Sequence, residues 1–194
     1  FNFILIILLS FYFSIQEKGI ENFLRIIIPI KYEDYVVDLW ARGSHKIGLW
    51  VKGQMLLGFV VGVLIYLILS LLGVEYALLL AIITGLMEMV PYGILVAMIP
   101  VISFSYISDG FGSALMVAVA YIIVHEFDVF LFTPLIIKKI VGLSPIVIIL
   151  AVVAGFELES FWGSILAIPV AIILMEFLND LEKHKILARN KNES

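Results

Sequence analysis

The chain has no cysteine and little charge. Of its 194 residues, 14% are Asp, Glu, Lys or Arg, against about 25% in ordinary soluble domains. Without cysteine there are no disulfides, no thiolate metal ligands and no cysteine nucleophile. Its twelve Lys and Arg residues form no basic stripe, so nucleic acid is not an expected partner. Histidine is scarce too, and position 129 is valine with no second histidine at the spacing that the HExxH zinc motif requires. No serine nucleophile motif or paired metal-ligand spacing is present either. The expectation is therefore a non-enzyme with no catalytic residues, no metal site and no cofactor. No cleavable leader is recognisable in the sequence. Phe1 is not an initiator methionine, and residues 1–13 look like the tail of a longer span, so an N-terminal part is expected to be missing.

What the chain does have is apolar length. It is 63% hydrophobic, with a mean hydropathy of +1.15, and contains runs near the roughly 20 residues needed to cross a bilayer. The pattern implies an all-α, polytopic integral membrane protein whose solvent is the lipid bilayer. Residues 1–15 read as the end of a truncated transmembrane helix. Residues 16–52 carry eleven charged side chains. In this segment Tyr32, Val36, Leu39, Gly43, Ile47 and Trp50 recur at three- and four-residue steps, the mark of an amphipathic helix. Pro29 separates it from a shorter helix. Such a segment lies at the membrane interface or folds back on the bundle, and Trp40 and Trp50 suit the headgroup boundary. A transport core is expected over 53–180 and a charged polar tail over 181–194.

The core opens with the cleanest span, 54–73, entered through Lys52-Gly53-Gln54 and carrying Gly58 and Gly62 at the spacing that allows close helix approach. Residues 76–107 then combine two expensive features. Glu88 sits in an apolar run, and Pro91-Tyr92-Gly93 interrupts the run three residues later. Backbone groups freed in hydrocarbon need protein or a wet cavity to cover them, and a carboxylate there marks a functional site. The competing reading is a proline-kinked packing helix with Glu88 in a structural interhelical bond. A second polar anomaly follows at His125, Glu126 and Asp128. It lines the same pathway or sits at the membrane boundary, and Glu126 faces a different side from the other two. Further breaks are expected at Pro100, Pro134, Gly142, Pro145, Gly155, Gly163 and Pro169.

Charge distribution bears on topology. Lys and Arg fall six in 16–52, two at 138–139 and four in the tail. If every apolar segment crossed once, the basic residues would split evenly, against the positive-inside rule. If 76–107 dips in and returns, each arm of about 15 residues is roughly 22 Å long, short for a span. All twelve basic residues then share one side, with a cytoplasmic tail. A broken hairpin is also expected over 134–178, and making its 146–154 arm re-entrant instead would leave only Lys138 and Lys139 outside. Gly93…Pro100-Val101 resembles Gly163…Pro169-Val170, an echo that suits the paired broken segments of repeat-built transporters.

Four phrases in order carry a family resemblance: GQMLLGFVVGVL, LLGVEYALLLAIITGLMEMVPYG, PLIIKKIVGLSP and GSILAIPVAIIL. The series resembles the AI-2E family of bacterial and archaeal transporters over about residues 1–180. The resemblance implies a multi-pass plasma-membrane permease or exporter, homo-oligomeric, moving a small molecule such as a signalling compound or an ion. Some members are described as sodium/proton antiporters. It maps the family's proline-tyrosine-glycine phrase onto Val90 to Gly93, with Glu88 at the acidic position. Two departures stand out: the residue between tyrosine and glycine is absent, and Ile94 replaces a second proline. His125, Asp128 and Phe130 stand where the family has glutamine, glutamate and asparagine. The expected substrate or ion pathway is thus Glu88, Pro91, Tyr92, Gly93, His125, Asp128 and, ranked lower, Glu126. A transporter coupled to H+ or Na+, an antiporter and a non-transporting scaffold remain the candidate functions.

Overall fold

A computed structural model describes residues 18–90, 93–133, 135, 142 and 144–192. Pro91, Tyr92, Pro134 and the 1–15 segment lie outside them. Among the described residues all regular structure is helical. Three helices there are long and apolar enough to cross a membrane, within Ile30–Leu71, Phe111–Phe132 and Trp162–Lys183.

Helix α1 (Gly19–Ile27) stops before Pro29. Ile28 adopts the extended backbone that a following proline imposes. Helix α2 (Ile30–Leu71) has 42 residues, roughly twice the number a bilayer span needs. It passes through Lys52-Gly53-Gln54 without a break. One interior glycine costs a helix only about 1 kcal/mol, too little to end one with packing on both sides. The amphipathic segment and the first span are therefore one helix. Trp50 is buried within the protein. Gly73, with φ of 73°, ends α2 in a left-handed turn, and the N–H of Val74 reaches back to the carbonyl of Leu69.

Helices α3 (Ala77–Met87) and α4 (Gly93–Asp109) follow. The last turn of α3 tightens: Met89 and Val90 donate to Leu86 and Met87, three residues back. A side chain on Gly93 would strike the carbonyl of Met87, so the start of α4 packs directly against the end of α3. Pro100 is no break, because α4 runs through it. Proline removes one N–H from the ladder, and neighbouring groups in a membrane helix absorb that loss. Helix α5 (Phe111–Phe127) continues into a π-helical turn (Asp128–Phe132). Ser105 and Ser113 share a 2.7 Å hydrogen bond between α4 and α5. The core of this part gathers Val61, Ile65 and Leu69 of α2, Ala81 of α3, Val101 of α4 and Tyr121 of α5.

Helix α6 (Pro145–Asn192) starts at its proline, where a missing N–H costs nothing. It is two arms. The backbone leaves helical geometry at Glu159 and Ser160. Gly155 and Gly163 then meet backbone to backbone, such that a side chain on either would collide with the other's carbonyl. In a straight helix, residues eight apart would lie about 12 Å from each other. Pro169, like Pro100, sits inside a continuing helix. Ser160 has φ 51° and ψ −127°, a region in which only glycine is at ease. Ser160→Gly should therefore raise stability by about 1 kcal/mol, read as a higher unfolding temperature in detergent.

The chain divides into two compact units, Lys46–Ile172, described above, and a second formed by Phe1–His45 with Ile173–Ser194. In the second unit Arg42 gathers carboxylates from two helices. It donates to Asp38 at 3.0 Å, to Glu176 at 3.1 Å and through two nitrogens to Asp180. Glu176 and Asp180 are largely buried, with side chains 8% and 12% exposed. Withdrawing the shared cation from two such groups is costly, whereas removing all three charges together is much less so. Arg42→Met should lower stability by about 3 kcal/mol. The triple variant that adds Glu176→Gln and Asp180→Asn should recover most of that loss in the same thermal unfolding measurement.

Candidate functional site

The first unit holds a polar column between α3 and α5. On α3 the residues turned inward are Ala81, Thr84 and Glu88; on α5 and the π turn they are Val117, Tyr121, Val124 and Asp128. Both sets step by three and four, the spacing of one helical face. Each face therefore begins apolar and turns polar toward its C-terminal end, and the two polar ends meet.

The column has two levels. At the first, Thr84 and the fully buried Tyr121 share a 2.6 Å hydrogen bond, and Thr84 donates to the carbonyl of Leu80 at 2.9 Å. Since the threonine proton goes to Leu80, the tyrosine must donate to threonine, and this level is closed. One turn on, the side chains of Glu88 and Asp128 face each other, each only 6% exposed. Thr133, at the end of the π turn, donates to Asp128 Oδ1 at 3.3 Å. Gln54 of α2 donates through Nε2 to the backbone carbonyl of Glu88 at 3.2 Å. Two buried atoms at this level, Glu88 Oε2 and His125 Nδ1, have no hydrogen-bond partner among the described residues. Buried polar atoms are seldom left so. The second level thus has hydrogen-bonding capacity that the described residues leave unused, while the first has none.

The structure sets Glu88 against Asp128, with the half-buried His125 beside Asp128 one turn earlier on α5 and Gly93 next to the Glu88 backbone. Glu126 is exposed on another face. Pro91 and Tyr92 lie outside the described residues. Sequence reasoning passed over Gln54, Thr84, Tyr121 and Thr133. Two were within reach of a helical-spacing argument: Thr84 lies four residues before Glu88, and Tyr121 four before His125. The π turn is a further signal, since such turns recur at functional sites. The Gly58 and Gly62 pair has its close partner as well: Gly58 abuts Gly85, and Gly62 lies against Ala81 and Gly85.

Comparison with known proteins gives a consistent result. The AI-2E family transporter profile matches residues 1–183. The chain is 31% identical over 173 residues to "Putative permease PerM" of Escherichia coli (strain K12), covering 88% of this chain and 49% of the relative. It is 28% identical over 169 residues to "Putative transport protein YueF" of Bacillus subtilis (strain 168), covering 86% and 46% respectively. It is 27% identical over 173 residues to "Putative transport protein YtvI" of the same organism, covering 89% and 46%. The chain thus spans about half the length of the curated relatives it matches. No solved structure matches it.

Proposed function

Because this chain belongs to the AI-2E family of transporters, we propose that it is part of a plasma-membrane permease that moves a small polar solute, such as a signalling molecule, coupled to H+ or Na+. One observation carries the reading: Glu88 and Asp128 face each other in a buried site with Glu88 Oε2 unpartnered. Two carboxyl groups in contact away from water hold a proton or a cation between them more readily than two bare charges. The same pair can therefore load a coupling ion and, with His125, face a polar solute. In this reading the α3–α4 hairpin is re-entrant. Eleven residues of α3 give about 16 Å of helix, well short of the roughly 30 Å of hydrocarbon. The folded-back arms of α6 form the second broken hairpin, and the two line one pathway, as in repeat-built carriers. The tail is cytoplasmic, and copies of the protein assemble into a homo-oligomer.

The test is a flux assay on the full-length protein in proteoliposomes, under imposed pH and sodium gradients and with a panel of small polar solutes. Saturable flux driven by either gradient supports the reading. Sodium–proton exchange without solute movement makes the protein an antiporter, and no flux under any gradient leaves a scaffold.

A further inference from the structure

Helices α2 and α3 meet along a seam almost without side chains. Gly62 lies against Ala81, Gly58 against Gly85, and the seam ends where Gln54 donates to the carbonyl of Glu88. As residue numbers fall on α2 they rise on α3, so the helices run antiparallel and the contacts form one ladder. Glycine faces offer no ridges to interlock. Register along such a seam therefore leans on the contacts at its flanks and ends, and the terminal rung is the one that is a directional hydrogen bond to the backbone of Glu88. Glu88 caps the C-terminal end of α3, where carbonyls run out of helical N–H partners, and the Gln54 amide supplies one while 9% exposed.

We propose that Gln54 is a positioning residue that holds the Glu88 carboxyl in register with Asp128. The hydrogen bond ties the backbone of Glu88 to α2, so the depth and rotation of its carboxyl follow that helix. The inference rests on Glu88 being the ion-handling group of the proposed permease. Among the described residues, the groups that face Glu88 are Asp128 from the π turn and the backbone N–H of Ile94 from α4, and His125 lies one turn before Asp128 on α5. Gln54 carries no charge of its own. Its effect on Glu88 therefore comes from position.

The test follows protonation of Glu88 in the full-length protein in lipid nanodiscs, by infrared titration of the carboxyl stretch that Glu88→Gln removes. Gln54→Met keeps the volume of the side chain and discards the donor. It should move the Glu88 midpoint by about half to one pH unit, a three- to tenfold change in proton affinity. The pH profile of sodium-driven proton flux should move by the same amount. Gln54→Asn retains an amide one methylene shorter and should move the midpoint less. A midpoint unchanged in Gln54→Met, or in Gln54→Asn if the methionine variant does not fold, overturns the proposal, because Gln54 would then serve packing alone. A shifted midpoint in a protein that carries no flux supports the positioning role and overturns the transport reading instead.

Discussion

Replacing Glu88 by glutamine should reduce gradient-coupled flux by about 100-fold or more, the scale on which removal of a proton-carrying group registers. Glutamine has nearly the shape of glutamate and leaves the Gln54 hydrogen bond untouched, since that bond ends on the backbone carbonyl. Expression and unfolding temperature should therefore stay close to wild type. What disappears is the ability to exchange a proton or pair with a cation opposite Asp128. Glu126→Gln is the natural control. Glu126 lies within the same short run of ionisable residues yet is exposed on another face, and its flux should stay within about twofold of wild type, as surface substitutions generally do little. Asp128→Asn should resemble Glu88→Gln more than Glu126→Gln. Normal coupled flux in Glu88→Gln would remove the carboxyl pair from the mechanism and return Glu88 to a structural role.

Legibility of the site in the sequence depended on distance along the chain. Local cost was readable: a glutamate in an apolar run followed by Pro91-Tyr92-Gly93 marks the end of α3, and α4 starts at Gly93. The Gly58 and Gly62 spacing showed a face made for close approach, although Gly85 as its partner needed the three-dimensional register. Contacts between distant residues left no local trace. Arg42 meets Glu176 and Asp180 across more than 130 residues, and nothing in the spacing of either segment announces the other. Proline in the sequence reads as a break, yet Pro100 and Pro169 lie in continuing helices, because a membrane helix tolerates one missing N–H. That reading overweights one residue's preference against the packing of the helix around it. The polar column fell between these cases. Its members share helical faces visible in the sequence, but only the pairing of α3 with α5 shows that Thr84 meets Tyr121 while Glu88 meets Asp128.

Gly85→Leu should be among the most disruptive single changes in the helices around this site, at about 3 kcal/mol or more of lost stability. A β-carbon at position 85 would sit 2.6 Å from the carbonyl oxygen of Gly58, and that oxygen belongs to a helix backbone that cannot rotate away. Relief requires α2 and α3 to separate along the whole seam. Separation opens voids beside Val61 and Ala81, both buried, and each void forfeits contacts that no lipid tail restores at that depth. Gly112→Ala provides the contrast. Nothing lies within 4 Å of a β-carbon there, and alanine is the better helix former. That variant should unfold at or slightly above the wild-type temperature. The two substitutions also differ in their effect on the site. Prising α2 from α3 pulls Gln54 away from the Glu88 carbonyl, so any Gly85→Leu protein that still inserts should lose coupled flux along with stability, and Gly112→Ala should lose neither. Thermal unfolding in detergent and flux in proteoliposomes, run on both variants, check the two halves separately. A Gly85→Leu protein as stable as wild type would mean that the seam is looser than its glycine contacts indicate.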